Sequence, residues 1–387
     1  MDSSFPAALP QSPVAEVSIP DVSIIVPARN EEASLGNCLQ SLAAQAGVAF
    51  EIIVVDDGST DRTREIAKRF AGVRVISPGP VPNSPTGKCW TGKNNAVVAG
   101  TKEARAEWLL FTDADTVHLP GSLARALDEA KKEQADLLSY SPEQVVVTFA
   151  ERAVMPVIFA ELAAHYPPQK VREHSSGQSS RESSGIVAAN GQYILVRRAA
   201  YEAVGRHAAV ATEILEDVAL ARLFRNAGHR VYFRYGGDAV RTRMYRNWAQ
   251  LREGWTKNLA LLFPQTERLA LQSLFVWVLA WSALGVAAYG AASQHFARIA
   301  FAGIWLLVYR RISAAHFAAL NNLIAIAVGL PMFAYLLRRS KKAYAKDQVS
   351  WKGRTYSTGA PSENTPTGKQ AAQPIPRIEN QGLRAKS

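Results

Sequence analysis

Three acidic clusters stand in series along the chain: Asp56-Asp57, Asp113-Ala114-Asp115 and Glu216-Asp217. The first closes the run EIIVVDD and opens Gly58-Ser59-Thr60-Asp61, and the second closes WLLFTDAD. A carboxylate at a strand end is ill suited to gripping phosphate, but it can accept hydrogen bonds from a nucleobase imide or a ribose. Asp57 is read in that way. Ser59 or Thr60 with Asp61 also fits a helix cap, and both readings can hold together. Two carboxylates two residues apart, as at Asp113 and Asp115, repel unless a cation or a base separates them. Mg²⁺ or Mn²⁺ typically takes one or two protein carboxylates plus phosphate oxygens, and would offset charge on a departing diphosphate. A lone D-x-D also arises by chance and by helix capping.

The elements that must position these groups follow from the hydrophobic pattern. From Val22 to about Asp136, short β-branched runs (VSIIV, EIIVVDD, VRVIS, WLLFTDAD) alternate with helical stretches that begin at Ser34, after Asp61 and after Gly92. That alternation predicts an α/β fold with a parallel sheet, whose ligand site lies beyond the carboxyl ends of the strands. The acidic loops belong at that edge. Residues 149–166, FAERAVMPVIFAELAAHY, predict an apolar helix in the core or at a membrane surface, stopped by Pro167 and Pro168. The Ser/Gly-rich stretch from His174 to Gly185 predicts a mobile loop that could serve as a lid, with plain disorder as the alternative.

Of 387 residues, 48% are hydrophobic, enough for one large core and an appendage. Cys38 and Cys89 lack metal-ligand spacing and imply no disulfide framework. The start has no basic n-region or continuous apolar run, so no secretory signal is expected and the catalytic domain stays cytoplasmic. Residues 271–292 carry no formal charge over about the 20 residues that cross a bilayer, and 313–337 form a second candidate span in which Asn321 and Asn322 need partners. The apolar segment 296–309 between them is short and broken by Arg298. Two spans with a re-entrant or interfacial middle segment keep the basic cluster from Arg338 inside. Over 338–387, eleven Lys and Arg face Asp347, Glu363 and Glu379, so most of the net +11 lies there. Such placement points to anionic lipid headgroups rather than nucleic acid. The layout expected is a disordered start over 1–20, a catalytic domain over 21–262, a transmembrane region over 263–340 and a basic, mostly disordered tail over 341–387. Together these place the chain in the inner membrane as a multi-pass protein.

In their order and distances, VSIIVPARNEE, EIIVVDDGSTD, FTDAD and LEDVALARL resemble the family two inverting glycosyltransferases, over about residues 20–260. The resemblance implies the GT-A fold, a Rossmann-like, mostly parallel sheet with flanking helices, here followed by C-terminal transmembrane helices. It implies a nucleotide-sugar donor bordered by Pro27, Arg29, Glu31 and Asp57, with Asp57 on the base. Asp115 would be the main metal ligand, Asp113 would assist it or meet the ribose, and Asp217 would be the general base beside Glu216. The segment Trp90-Thr91-Gly92-Lys93 is similar to one in membrane-bound members that glycosylate hopanoids, carotenoids and ceramide, and implies a lipid acceptor. Lys93 at a helix start suits the donor diphosphate. Gly191-Gln192 resembles an acceptor-side segment of the same group, and Trp351 to Tyr356 resembles a membrane-proximal motif of ceramide-type enzymes.

One departure stands out. The Q-x-x-R-W motif of chain-building members is missing after the base, and Arg246, Arg252 or Trp255 is left to do the diphosphate or acceptor work. This favours a single transfer, with processive or polysaccharide-directed synthesis as the alternative within the family. Outside it, nucleotidyl transfer and a non-catalytic membrane scaffold are the alternatives. A Rossmann oxidoreductase is disfavoured because no G-x-G-x-x-G follows the first strand.

Overall fold

The computed structural model describes residues 19–82, 90–167, 170–171, 187–289, 294–346, 349–351 and 354–356. The start over 1–18, Lys88 and Cys89, the stretch from His174 to Gly185 and the chain beyond Tyr356 lie outside the described residues.

The β-branched runs become β1 (Val22–Ala28), β2 (Phe50–Asp56), β3 (Val73–Ile76) and β4 (Trp108–Thr112), parallel neighbours in the order β3-β2-β1-β4. Alternate residues feed two cores, as a strand's twofold period requires. Ile24, Val26, Ile52 and Val54 meet Leu35, Leu39 and Leu42 of α1 (Leu35–Ala43) on one side. Ile25, Ile53 and Val55 meet Ala96 and Val97 of α3 (Gly92–Glu103) on the other. Burial on both faces is what favours parallel pairing here. α2 (Thr63–Lys68) lies between β2 and β3 in the chain.

The rest of the sheet is not simply parallel. Its full order is β3-β2-β1-β4-β8-β6-β9, where β8 (Tyr193–Arg197) runs antiparallel between β4 and β6 (Leu137–Ser141), and β9 (Val231–Tyr235) is parallel to β6. A small second sheet, β5 (Thr116–His118), β10 (Val240–Thr242) and β7 (Glu143–Gln144) in the order β5-β10-β7, stands beyond β4. The Asp113-Ala114-Asp115 turn carries the chain from one sheet to the other. α4 (Ser122–Lys132) packs on the α1 side, and α6 (Arg198–Ala203) and α7 (Glu216–Asn226) on the α3 side.

A third core joins α5 (Phe149–His165) and α8 (Trp248–Leu262) to the C-terminal helices α9 (Thr266–Tyr289), α10 (Gln294–Ser313), α11 (Ala319–Ile324) and α12 (Leu330–Ala345). A π turn, Ala325–Gly329, links the last two. The α5 helix opens with a capping box in which Thr148 and Glu151 exchange hydrogen bonds. At Gly329 a Cβ would lie 2.0 Å from the Ala153 carbonyl oxygen, so only glycine lets this helix press against α5. Arg311 on α10 forks onto Glu161 of α5 at 2.8 Å and 2.9 Å.

By length and composition, two helical stretches could cross a bilayer, Thr266–Gly285 and Ala319–Ala345. Half of the second window is buried inside the molecule, and the multi-pass arrangement gains no further support from it. Three boundaries differ from those read in the sequence. The first helix starts five residues earlier, the middle segment is a continuous helix over Gln294–Ser313, and the second stretch starts only at Ala319. Arg298, Arg310 and Arg311 are tolerated because charge interrupts a membrane pattern without breaking a helix. Asn322 is buried, and its side-chain amide donates to the Phe317 carbonyl at 3.2 Å.

Candidate active site

Two sheet-edge loops form the first wall. Asn30, held at φ 53° in the left-handed region that asparagine tolerates, accepts the Thr60 amide at 2.9 Å, and its own amide donates to Ser59 Oγ at 3.0 Å. Glu32 N–H reaches Asp61 Oδ2 at 3.1 Å. The loops after β1 and β2 are thus laced into one ledge. Of the first acidic pair, Asp56 is structural: it takes the Ser59 amide and pairs with Arg64 at 3.2 Å. Asp57 instead lines a cavity of about 1240 Å³, as do Pro27, Arg29 and Glu31. Arg29 Nη1 donates to the Asp57 carbonyl at 2.7 Å, and Ser34 Oγ donates to Glu31 Oε2 at 2.7 Å.

The opposite wall joins residues remote in sequence. Thr91 caps α3 by accepting the Asn94 amide at 3.1 Å, and the Asn94 side chain donates to the carbonyls of Val210 and Ala211. Those bonds fix the start of α3 against the segment leading into α7, so Lys93 faces Glu216-Asp217. Lys93 Nζ lies 2.8 Å from Asp113 Oδ1 and 2.9 Å from Glu216 Oε1. The partners found for Lys93 are therefore two carboxylates, where the sequence reading gave it a diphosphate.

Asp217 accepts the Gly191 amide on Oδ2 and the Val218 amide on Oδ1, both at 2.8 Å. A Cβ on Gly191 would stand 3.1 Å from Lys93 Nζ and 3.5 Å from Asp217 Oδ2, so the backbone approaches this closely because no side chain intervenes. Gln192 is buried, donates to Thr242 Oγ1 at 3.2 Å and gives its carbonyl to Thr112.

Burial pushes the Asp217 carboxyl up to about 6, and the neighbouring Glu216 charge adds to the rise. Burial would raise Glu216 as well, but Lys93 and then Lys257 outweigh it and hold Glu216 ionised below the usual range. Burial opposes the charge on Lys93, yet Asp113 and Glu216 keep its ammonium protonated well above the ordinary lysine value. One carboxylate of the pair is thereby fixed as an ion while its neighbour is tuned to take up a proton near neutrality.

Asp113, Asp115, Gly191, Gln192, Glu216, Asp217, Lys93, Arg246 and Trp255 share the cavity with the ledge formed by the loops after β1 and β2. Arg246 reaches back to donate to the Ala33 carbonyl at 2.8 Å, and Trp255 is buried with its indole N–H on Met155 Sδ at 3.3 Å. Arg252 is not among the lining residues. The cavity face of α8 is a stripe through Gln250, Glu253, Gly254, Lys257 and Asn258, and the helical period turns Arg252 away from it.

Sequence reasoning missed Lys257, Tyr235 and the segment Ala314–Asn321. Lys257, Tyr235, Ala314–Ala318 and Asn321 line the cavity, and His316 stacks on Tyr235 with ring centroids 4.2 Å apart. The helical spacing Gly254-Lys257-Asn258 was the available signal for Lys257. No local signal marked His316, which sits in a short link between apolar helices.

A mostly parallel sheet with flanking helices, whose edge gathers Asp57, Asp113, Asp115, Glu216 and Asp217 in one cavity, is a GT-A-like α/β fold. Residues 23–181 match the family model described as Glycosyl transferase family 2, and the chain is a glycosyltransferase. It is 26% identical over 355 residues to 4,4'-diaponeurosporenoate glycosyltransferase of Staphylococcus aureus strain USA300, covering 87% of this chain and 88% of that one. Among solved structures, it resembles the mannosyltransferase PcManGT from Pyrobaculum calidifontis in complex with GDP-Man and Mn²⁺ at 15% identity and TM-score 0.48, covering 84% and 87% of the two chains. S. aureus TarS 1–349 in complex with UDP gives 18% identity and TM-score 0.41, covering 88% and 99%.

Proposed function

We propose that the chain transfers one sugar, with inversion, from a nucleotide-sugar to a lipid or isoprenoid-type acceptor at the cytoplasmic face of the inner membrane. A UDP-sugar is the first donor to test. The observation that carries this reading is Asp217, pinned by two backbone amides and raised to about 6, in the same cavity as Asp57, Asp113 and Asp115. A base poised near the working pH is what removal of an acceptor proton needs.

In this reading Pro27, Arg29, Glu31 and Asp57 border the nucleoside, and Asp57 accepts from the base. Among the described residues no three His, Cys, Asp or Glu side chains gather as a self-sufficient metal cage. The pair Asp113 and Asp115 is the hard-oxygen, two-carboxylate donor set that suits Mg²⁺ or Mn²⁺ when phosphate oxygens complete the shell. Asp115 would be the main ligand and Asp113, shared with Lys93, the assisting one. The ion supplies charge compensation for the diphosphate when bound. Asp217 takes the acceptor proton as the acceptor oxygen bonds to the anomeric carbon. The bond from that carbon to the diphosphate oxygen breaks, and the electron pair leaves with the diphosphate. Gly191, Gln192 and Glu216 border the acceptor side, and Trp255 and Arg246 close the cavity beyond it.

Support for an apolar acceptor comes from the cavity itself, whose far wall includes Phe159, Leu162 and Phe317, and from the relative named for 4,4'-diaponeurosporenoate. Exposed Leu271, Phe275 and Val278 on α9 and the basic stretch after Arg338 support membrane association. Residues 21–262 then form the catalytic unit, 263–340 the membrane region and 341–387 the basic tail.

The test is a nucleotide-sugar screen on purified membranes, with mass analysis of the lipid products, run with and without EDTA. A hexose-sized mass gain on an apolar product, abolished by EDTA and restored by Mn²⁺ or Mg²⁺, is expected. Consumption of no donor, or transfer indifferent to chelation, refutes the reading.

A further inference from the structure

The C-terminal helix α12 grips α8 through side-chain bonds to the α8 backbone. Ser340, fully buried, donates through Oγ to the Thr256 carbonyl at 2.7 Å and accepts the Ala260 amide at 2.9 Å. An undisturbed helix pairs that amide and that carbonyl with each other, four residues apart. The Ser340 hydroxyl bonds to both of these groups at once. Tyr344 OH donates to the next carbonyl, that of Lys257, at 2.6 Å, and Arg339 Nε donates to Thr256 Oγ1 at 3.2 Å. Three side chains from α12 therefore hold the single turn of α8 that presents Lys257 to the cavity.

Lys257 interacts electrostatically with Glu216, Asp113 and Asp217 and with the Lys93 ammonium. The charge of Lys93 is already divided between Asp113 and Glu216. A diphosphate entering beside these carboxylates adds negative charge to a partly desolvated site, where unbalanced charge is expensive. Compensation at that spot needs a further cation on the same side of the cavity. The α8 stripe supplies one.

We propose that Lys257 is a diphosphate-binding residue of this site, and that Ser340 and Tyr344 are its positioning residues, acting from the C-terminal helix. This rests on the nucleotide-sugar reading above, and it ties the helix that follows the apolar hairpin directly to the donor end of the reaction. A shift of α12 along α8 moves the Lys257 turn, so donor affinity depends on how that helix is seated.

The experiment measures UDP and GDP binding, with Mn²⁺, to the full chain in detergent by titration calorimetry, for the unaltered protein and for Lys257→Met, Lys257→Arg, Ser340→Ala and Tyr344→Phe. Loss of one charge-assisted contact to phosphate predicts a Kd about ten-fold or more weaker in Lys257→Met, with partial recovery in Lys257→Arg. Tyr344→Phe and Ser340→Ala are expected to weaken binding by about three-fold or more alone, and to add nothing in a Lys257→Met background, because a positioning residue works only through the group it positions. Uridine or guanosine without phosphates should bind all variants alike, which a misfolded cavity would not permit. Unchanged diphosphate affinity in Lys257→Met overturns the binding assignment, and additive losses in the double variants overturn the positioning assignment. Failure of the unaltered chain to bind either nucleotide defeats the donor reading itself, a separate outcome.

Discussion

Replacing Asp217 by Asn separates chemistry from folding at this site. The carboxylate rises from an ordinary aspartate value of about 3.9 to about 6, and each pH unit of such a rise corresponds to about 1.4 kcal/mol. The native state therefore holds the Asp217 proton more tightly than the unfolded chain does. Its favourable contribution is complete below about pH 4 and is lost as pH rises to about 6, leaving the ionised group roughly 3 kcal/mol costly at pH 7.5. Asparagine removes that cost. It also has one side-chain carbonyl where the carboxylate has two oxygens, so either the Gly191 or the Val218 amide loses its acceptor, at roughly 1–3 kcal/mol. The two effects oppose each other, and the Asn variant should unfold within about 2 kcal/mol of the parent at pH 7.5. Transfer should fall by about 10²–10⁴, the usual worth of a general base. For the parent, kcat/KM should decline about ten-fold for each pH unit below about 6, as Asp217, flanked by Glu216, Lys93 and Lys257, becomes protonated. Radiolabelled sugar transfer in membranes from pH 5 to 8, beside thermal melts, measures both quantities. A variant that keeps more than a tenth of the parent rate, with or without the acid limb, refutes Asp217 as the base.

Lys93→Met leaves Asp113 and Glu216 without their shared cation; with discounting for the partial exposure of Lys93, about 1–3 kcal/mol of stability should go, and a melt at low and high salt reads it. In Gly329→Ala the new Cβ meets backbone rather than a flexible side chain, so a loss of about 1–3 kcal/mol or more is expected in chemical denaturation, and a fully stable variant would show that α11 and α12 are seated otherwise. A chain ending at Leu262 lacks Ala314–Asn321 and the α12 grip, and transfer to a detergent-dispersed lipid acceptor should drop at least about ten-fold even if the sheet folds; equal rates would remove the C-terminal helices from the reaction.

The parallel half of the sheet was legible because burial on both faces favours continuous apolar runs, β-branched in β1 and β2 and Leu- and aromatic-rich in β4. The same strand ends put Asp57, Asp113 and Asp115 at the sheet edge from the hydrophobic pattern alone. β5, β7 and β10 are two or three residues long, too short for a period to register, and the antiparallel entry of β8 between β4 and β6 leaves no mark in a pattern that only reports burial. The Lys93 partnership with Glu216 joins residues more than a hundred positions apart, so helix-start logic alone points the lysine to a phosphate. Arg252 was chosen for its charge, and the α8 stripe shows that helical phase is the stronger criterion. At His316 the hydropathy that made the flanking segments readable as spans concealed a cavity residue in the link between them.

The stack of His316 on Tyr235 gives that link a meaning for how such enzymes diversify. The end of the cavity at Asp57 is built from sheet-edge loops whose sequence is constrained by the strands they terminate. Ala314–Asn321 belongs to no strand, and an exchange of the α9–α10 hairpin with its following link would reshape the far wall while leaving Asp57, Asp115 and Asp217 where they are. New acceptors are thus reachable by recombination at one segment, with the chemistry inherited intact.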